Sequence, residues 1–444
     1  MKPEKTYPAS RALASGLLAF ALTVMSSPLG AAIKVWDLSD DAGAQNGDGV
    51  WNAANVNWTA NASAGTVRTA WTSNADGAMF GGGGSSGPAG TPAGNFTVTI
   101  DASGVTAASV RQYKYTSSEV ANYTLSGGTL TLTTADGVRA DHGIMTINSN
   151  IVTSVTNMNL GAGELLVLGG SNTFGTQVSI GNGSNLGGTV KLANANALGT
   201  GTSVRMVGYQ SGTPARTLDI NGLTISGNSL TVVDGSRSEN LISSSTTSNA
   251  VWAGNVTISN ATSTLNAGAT AAGRTLEISG IISGAGKLAT LANSHLILSG
   301  ASTYSGATTI AAGSTFELAA TGSILFNLNA GKDGIVNVMT GTGTAILDGT
   351  FTLSFNLADV AEGASLAFLA SDISATYGSS FTLRALDATL TKVAGAQNLW
   401  AGGGWIYDMG TGVFSRGVIP EPATTIALLG GAAILAASVL RRRK

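Results

Sequence analysis

The sequence predicts an all-β solenoid, in which short strands stack coil upon coil, with one helical segment at each end of the chain. Apolar and polar residues alternate over four to six positions between turns of Gly, Asn and Asp, as in TLDINGLTISGNSLTVVDG, residues 217–235. Two stretches, 168–184 and 298–314, align without a gap. Only 10% of the 444 residues are charged and 61 are Gly. Low charge suits stacked strands, because like charges on neighbouring coils repel.

The first 32 residues have the pattern of a secretory signal peptide. Lys2, Lys5 and Arg11 precede the apolar stretch ALASGLLAFALTVM, and the small residues GAA follow it. We expect an apolar helix here, cleavage after Ala32, and export of the remaining chain. Cysteine is absent from the sequence, which excludes disulfides, thiolate metal sites and Cys nucleophiles.

Tryptophan marks both ends of the exported chain, and Trp252 alone lies between them. The terminal tryptophans are Trp36, Trp51, Trp58, Trp71, Trp400 and Trp405. A large aromatic side chain buries about 150–250 Å², enough to help close the open end of a solenoid. We therefore predict an N-terminal cap with the first strands over 33–119 and a C-terminal cap over 351–417. Exposed tryptophans that stack on sugar rings are the alternative interpretation.

The repeats are predicted over 120–350. In both aligned stretches a Leu and a Gly-containing turn precede an aromatic residue (Phe174, Tyr304), and a β-branched strand then ends in Ile (Ile180, Ile310). One coil cannot bury its own apolar stripe, but coils stacked at about 4.8 Å pack Val, Ile and Leu into a continuous interior. Coils of 20 to 25 residues give roughly ten coils. Inward Ser, Thr and Asn at the turns are expected to bond side chain to side chain between coils.

The stretch 298–318 resembles the autotransporter-associated β-strand repeat, whose pattern runs approximately LxLSGANTYSGGTTVxxGTL. Ser302 stands where the pattern has Asn and Ala307 where it has the second Gly, whereas the other copy keeps Asn172. The segment KLANANALGTG, residues 191–201, continues the resemblance. The resemblance implies a right-handed parallel β-helix.

The last 27 residues have the features of a membrane-anchored terminus. From Ala423 to Leu440 no residue is charged, and eighteen helical residues span roughly 27 Å, close to the thickness of a bilayer core. The basic cluster that follows is expected to stay on the cytoplasmic side. Pro420 and Pro422 keep the preceding segment extended and accessible.

This ending resembles the PEP-CTERM sorting signal. The match consists of the triplet Pro420, Glu421 and Pro422, a transmembrane helix over 423–440, and the cluster Arg441, Arg442 and Arg443. The resemblance implies an inner-membrane tethered precursor, which an exosortase-type enzyme cuts near the triplet and releases to the cell surface or extracellular matrix. A plain tail anchor is the alternative, although it does not explain the prolines.

Charge excludes nucleic acid as a partner. The two terminal segments hold seven of the 22 basic and two of the 24 acidic residues, which leaves 15 basic and 22 acidic residues between them. Binding to phosphate backbones requires clustered positive charge. Exopolysaccharide or cell-surface glycans are the candidate partners of such an exported chain.

The sequence contains short patterns typical of catalytic, cofactor-binding or metal sites, but none has the surroundings or spacing that such a site requires. GGGGSSG, residues 81–87, fits the spacing of a nucleophile elbow and of a dinucleotide loop, but no βα unit surrounds it. His142 and His295 are far apart in sequence and are interpreted as surface or turn residues. The densest acidic group is Asp37, Asp40, Asp41, Asn46 and Asp48. Its spacing does not match an EF-hand, so we interpret it as a polar turn and keep a calcium site as the alternative.

A polysaccharide lyase or hydrolase is the alternative to a structural role. Such sites cluster carboxylates and basic residues on neighbouring coils, whereas the acids of the repeats are isolated in sequence: Asp136, Asp141, Glu164, Asp219, Asp234, Glu239, Glu277, Glu317, Asp333 and Asp348. We therefore expect no catalytic residues, no metal and no cofactor. The predicted function is adhesion or scaffolding through a long face of Ser, Thr and Asn.

Overall fold

A computed structural model describes residues 32–41, 43–60, 65–72, 74–81, 93–113, 120–181, 187–207, 215–233, 238–396 and 398–416. Within these residues the regular structure is β, apart from one 3-10 turn at Leu357–Asp359. None of the described residues belongs to a helix long and apolar enough to cross a membrane. The predicted signal helix and the predicted helix over 423–440 lie outside the described residues.

The strands are short. The leading ones are β1 Ile33–Trp36, β2 Gly49–Trp51, β3 Trp58–Thr59, β4 Arg68–Thr69, β5 Gly77–Phe80, β6 Gly94–Ile100, β7 Val105–Ala107, β8 Val110–Gln112, β9 Ala121–Gly127, β10 Leu130–Leu132, β11 Val138–Ala140, β12 Ile144–Ile147, β13 Ile151–Val152, β14 Asn157–Ala162, β15 Leu165–Leu168, β16 Gln177–Ile180, β17 Thr189–Leu192 and β18 Ser203–Met206. The middle ones are β19 Thr217–Asp219, β20 Thr224–Ile225, β21 Leu230–Val232, β22 Ser238–Ser243, β23 Ala250–Trp252, β24 Val256–Ile258, β25 Thr264–Ala269, β26 Leu276–Ile278, β27 Ile282–Ser283, β28 Lys287–Thr290, β29 His295–Leu298, β30 Ala301–Ser302, β31 Thr308–Ile310, β32 Thr315–Leu318, β33 Ser323–Phe326, β34 Met339–Gly341, β35 Thr344–Leu347 and β36 Thr350–Leu353. The last are β37 Ser365–Ala367, β38 Ser374–Tyr377, β39 Thr382–Arg384, β40 Thr391–Lys392, β41 Leu399–Gly402, β42 Trp405–Asp408 and β43 Val413–Arg416.

Parallel pairing arranges most of these strands as a solenoid with three faces. The first face runs β2-β6-β9-β12-β15-β17-β19-β22-β25-β28-β31-β34. The second contains β7-β10-β13 and later β20-β23-β26-β29-β32-β35-β38. The third runs β1-β5-β8-β11-β14-β16-β18-β21-β24-β27, and then β30-β33-β36-β39. This confirms the prediction of an all-β fold built from stacked parallel strands.

Coil length varies more than the sequence predicted. Between residues 121 and 341 the described residues supply ten strands of the first face, β9 to β34, the expected number. Paired residues lie from 20 positions apart, as Leu288 and Thr308, to 31 positions apart, as Thr308 and Met339. The longer coil contains a loop that closes on itself through an antiparallel bridge between Leu328 and Ile335. Loops at the corners therefore absorb the extra residues while the strand register is kept.

Alternation along each strand separates the interior from the surface. In β29, for example, Leu296 and Leu298 are buried whereas Ile297 is half-buried. The register between strands places apolar side chains next to one another on successive coils. Ile180, Met206 and Val232, for example, form one continuous apolar row inside the third face. Stacking removes the apolar side chains from water on every coil except the ends.

Buried Asn side chains at the corners bond to the backbone of a neighbouring coil. Asn228 Nδ2 donates to the carbonyls of Gly199 and Thr202, at 2.7 and 2.9 Å. Asn172 Nδ2 donates to Ala197 O at 2.7 Å. The predicted side-chain to side-chain bond occurs inside at Thr290 and Ser314, whose hydroxyls lie 2.5 Å apart. The inward amides thus satisfy corner carbonyls that no strand partner reaches.

Aromatic side chains fill both ends of the solenoid. The indoles of Trp36, Trp51, Trp58 and Trp71 pack against one another, with Trp58 and Trp71 centroids 4.6 Å apart, and all four are buried. At the other end β37 and β40 to β43 form an antiparallel sheet. The described tryptophans other than Trp400, which is half-buried, are inaccessible to a sugar ring. The positions of the terminal tryptophans agree with a capping role, whereas the buried Trp252 lies in the middle of the stack.

Candidate ligand-binding surface

The first face carries a row of outward side chains, one from each coil, which we call the polar row. Register pairs its members from strand to strand: Asn95, Asn122, Ile144, Leu165, Thr189, Thr217, Asn240, Asn266, Ala289, Thr309 and Thr340. Eight of these eleven described side chains are polar, and all eleven are half-buried or exposed. Its side chains follow one another at intervals of about 4.8 Å, and the amide and hydroxyl groups are interrupted at Ile144, Leu165 and Ala289.

Side chains of the polar row bond to one another along the solenoid axis. Asn266 Nδ2 donates to Asn240 Oδ1 at 2.9 Å, and Asn240 Nδ2 donates to Thr217 Oγ1 at 3.2 Å. Near the N-terminal end, Asn122 Nδ2 donates to Asn95 Oδ1 at 2.8 Å. Each amide has donor and acceptor capacity beyond one such bond. The row is consequently ordered by its own contacts and still offers hydrogen-bonding groups to a ligand.

Asp219, one of the acids that are isolated in the sequence, accepts hydrogen bonds within a turn beside the polar row. Its Oδ1 accepts from the backbone N–H groups of Asn221 and Ser244, at 2.9 and 3.0 Å. Its Oδ2 accepts from Ser244 Oγ at 2.5 Å and lies 3.6 Å from Lys191 Nζ. The carboxylate is thus occupied by the chain itself. Asp234 lies outside the described residues.

The solenoid brings some sequence-distant charges together. Arg216 and Glu239 form an ion pair in the interior, with side chains 1% and 0% exposed and Nη1 3.6 Å from Oε1. Arg111 and Arg139 both bind the buried Asp141. These groupings were missed by sequence reasoning because they depend on strand register between coils. A charged residue at an apolar position of a strand pattern, as Glu239 in β22, is the one sequence signal for the internal pair.

Two glutamates share an outward row of the second face. Register places Glu277 beside Ile297 and Ile297 beside Glu317, so one coil separates the carboxylates. Ser299 Oγ donates to Glu277, and Glu317 Oε2 lies 3.1 Å from His295 Nε2. His295 is accordingly a surface residue of a strand. His142 lies beside Tyr113, with ring centroids 5.4 Å apart.

The acidic group near the N-terminus is dispersed over separate contacts. Asp37 is buried, and its Oδ1 accepts from Gln45 N at 2.9 Å. Desolvation raises the pKa of the Asp37 carboxyl. Asp48 Oδ1 accepts from Thr97 N at 2.6 Å, and Asn46 Oδ1 accepts from Tyr123 Oη at 2.7 Å. Among the described residues, no group of three or more His, Asp or Glu side chains is placed to hold a metal ion.

Asp40 takes part in a separate ion pair at the surface. Arg68 Nε donates to Asp40 Oδ1 at 2.9 Å, and this bond lowers the pKa of the Asp40 carboxyl. Asp41 Oδ2 accepts from Ser39 Oγ at 3.0 Å. The acidic residues of this segment therefore act as turn and pairing groups.

Two sets of predicted residues lie outside the described residues. The first is the sorting signal: Pro420, Glu421, Pro422, Arg441, Arg442 and Arg443. The second is the glycine-rich loop after Gly81.

Comparison with known proteins gives one partial similarity and two negative results. The chain is 28% identical over 208 residues to a protein described as adhesin BmaC autotransporter, from Brucella suis biovar 1 (strain 1330). The match covers 42% of this chain and 6% of that protein, so the chain spans a small part of the relative's length. No protein-family profile matches the chain, and no solved structure matches it significantly. Part of this chain is therefore similar to part of an autotransporter adhesin.

Proposed function

We propose that this chain is an exported surface or matrix protein that adheres through the polar row and has no catalytic centre. The observation that carries the proposal is the row itself: eight amide and hydroxyl side chains in register along one face. The partial similarity to an adhesin supports the same function. A right-handed coil is part of the proposal, since connections between parallel strands of one sheet are right-handed in almost all cases.

The proposed mechanism is repeated weak contact along a rigid rod. Each hydrogen bond to a ligand contributes about 1 kcal/mol net. A polymer such as exopolysaccharide or a cell-surface glycan meets many such groups at once, and each bond after the first forms at high effective concentration. Stacked coils prevent the row from bending away from the ligand, so little entropy is lost on binding. Neither a metal nor a cofactor is needed for this chemistry.

Matched hydroxyl deletions test the role of the polar row. Thr217→Val with Thr309→Val removes two hydroxyls from the row, whereas Thr231→Val with Thr257→Val removes two half-buried hydroxyls from outside the third face. At about 1 kcal/mol each, the first pair should weaken adhesion to purified matrix polysaccharide or to cells roughly thirtyfold. The second pair should leave adhesion unchanged. Equal effects of the two pairs would contradict a dedicated face.

We further propose that export and sorting follow the terminal segments. The expected order is removal of residues 1–32, tethering by 423–440, and cleavage near Pro420 by an exosortase-type enzyme. A helix of eighteen apolar residues anchors a protein almost irreversibly, so release requires cutting a covalent bond. Intact-mass measurement of protein from supernatant should show an end close to residue 420. Protein recovered only from membranes, with Lys444 intact in a cell that has the enzyme, would indicate a plain anchor.

A polysaccharide hydrolase is the second candidate, and the row containing Glu277 and Glu317 favours it. Two carboxylates on one surface are the minimum set for glycoside hydrolysis. We nevertheless propose no enzyme, because Ser299 and His295 already engage these carboxylates. Release of a defined product from acidic or neutral polysaccharide, abolished by Glu277→Gln, would replace the adhesive proposal by the enzymatic one.

A further inference from the structure

Two arginines stand side by side outside the third face, near its N-terminal end. Arg111 of β8 pairs in register with Arg139 of β11 on the next coil. Like charges at paired positions of neighbouring strands are destabilising, and this chain carries few charges. The Arg–Arg pair therefore has an electrostatic cost that the stacking of coils does not require.

A single buried carboxylate holds the two guanidinium groups in place. Asp141, whose side chain is 3% exposed, accepts from Arg111 Nε through Oδ2 and from Arg139 Nη2 through Oδ1, the latter at 2.9 Å. Arg139 Nε also donates to Oδ1, at 3.1 Å. The side chains of Arg111 and Arg139 are 34% and 27% exposed. The negative charge is thus buried, and the excess positive charge faces solvent.

Most of the guanidinium donors remain available to a ligand. A guanidinium has five N–H groups. Asp141 engages one N–H of Arg111 and two of Arg139. The remaining donors belong to planar forks that match a carboxylate. Asp141 holds Arg111 through Nε and Arg139 through Nε and Nη2, so both guanidinium groups are ordered before a ligand arrives and have little rotamer entropy left to lose.

Aromatic rings border the same patch. Arg111 Cζ lies 5.1 Å from the centroid of the Tyr113 ring. His142 meets that ring edge-on, at 71° between planes. On the other side, Gly161 pairs with Arg139 on the following coil, and a Cβ there would lie 3.2 Å from Arg139 Cγ. The patch therefore combines two guanidiniums and an aromatic ring, and the Arg139 side chain covers the buried Gly161.

We propose that Arg111, Arg139 and Tyr113 form a binding subsite for the carboxylate of a uronate unit in an acidic polysaccharide. The proposal rests on the proposed adhesive function and names its ligand class. The guanidinium forks bind the carboxylate, and the Tyr113 ring holds the Arg111 guanidinium in place. A neutral glycan lacks the group that the paired arginines recognise.

Binding of purified exported chain to immobilised polygalacturonate tests the proposal. Methyl-esterified polygalacturonate removes the charge, and dextran sulfate offers sulfate esters in place of carboxylates. Arg111→Gln keeps the Arg139–Asp141 pair and should fold. Arg111→Lys with Arg139→Lys keeps the charge and removes the forks. Arg205→Gln is the matched control, because Arg205 is a half-buried arginine of β18 on the same face, away from the cluster.

We expect binding to the methyl ester to be at least tenfold weaker than binding to polygalacturonate. Arg111→Gln and the double Lys variant should each bind polygalacturonate roughly tenfold more weakly. This is the change in affinity expected when about 1.4 kcal/mol of guanidinium contacts is lost. Arg205→Gln should stay within twofold. Equal loss for Arg205→Gln, no loss for the double Lys variant, or preference for dextran sulfate would overturn the carboxylate assignment. If matrix adhesion persists and depends on Thr217 and Thr309 while Arg111→Gln has no effect, the subsite is wrong and the adhesive function stands.

Discussion

Loss of the interior ion pair should be the most damaging single charge change in the described solenoid. Arg216→Met removes the guanidinium 3.6 Å from Glu239 Oε1 and leaves a carboxylate that is 0% exposed. Glu239 Oε2 keeps its bond from Arg216 N, at 2.7 Å. A backbone N–H carries no net charge, so this bond does not replace the lost guanidinium charge. Breaking a buried pair from one side costs about 3–5 kcal/mol.

Hydrogen exchange read by mass spectrometry suits this measurement, because solenoids open coil by coil and a single unfolding midpoint averages over them. A cost of about 4 kcal/mol corresponds to roughly a thousandfold faster exchange in β19 and β22. The double variant Arg216→Met/Glu239→Leu removes both charges and should recover most of the stability.

Lys191→Met is the control on the same face. It breaks the pair between Lys191 Nζ and Asp219, in which the lysine side chain is 30% exposed. The expected cost is below about 1 kcal/mol, because solvent screens a partly exposed pair. Additive losses of stability from Arg216→Met and Glu239→Leu would refute the reasoning. A loss of stability in Arg216→Met no larger than that in Lys191→Met would refute it as well.

Three further changes are expected to alter stability. Burial raises the pKa of Tyr304 to about 12 from 10.0, because the folded protein favours the neutral hydroxyl. The contribution of Tyr304 to the free energy of unfolding is therefore complete below pH 10 and is lost as the pH rises towards 12. Urea midpoints should fall over that range, and Tyr304→Phe should reduce the fall; an unchanged profile would contradict this. Trp51→Ala opens the N-terminal aromatic cluster and should cost about 3–5 kcal/mol, seen as faster exchange near that end; unchanged exchange there would argue against a cap. Asn228→Ala removes the donor to the carbonyls of Gly199 and Thr202 and should cost about 1–3 kcal/mol in urea unfolding, whereas a neutral effect would show that water replaces the amide.

The sequence predicts that an outward face of Ser, Thr and Asn exists, but not which residues form the polar row. Short alternating strands place Thr and Asn outward where the flanking residues are apolar, as for Asn266 in β25, whereas Asn240 in β22 follows the buried Glu239. Coil length decides which of these side chains stand next to one another, and it varies from 20 to 31 residues. The pairing of Asn240 with Asn266 is therefore a property of the register and of the corner loops.

The sequence by itself determined the fold class, because strand length, alternation and glycine-rich turns are local properties that each coil repeats. It also placed the tryptophans at the ends, where a stack needs large apolar side chains. Tertiary structure alone decided which charges meet. Arg111 and Arg139 are 28 positions apart, and Arg216 and Glu239 are 23 apart. Stacking at about 4.8 Å turns such separations into contacts, and only the register between coils selects which ones.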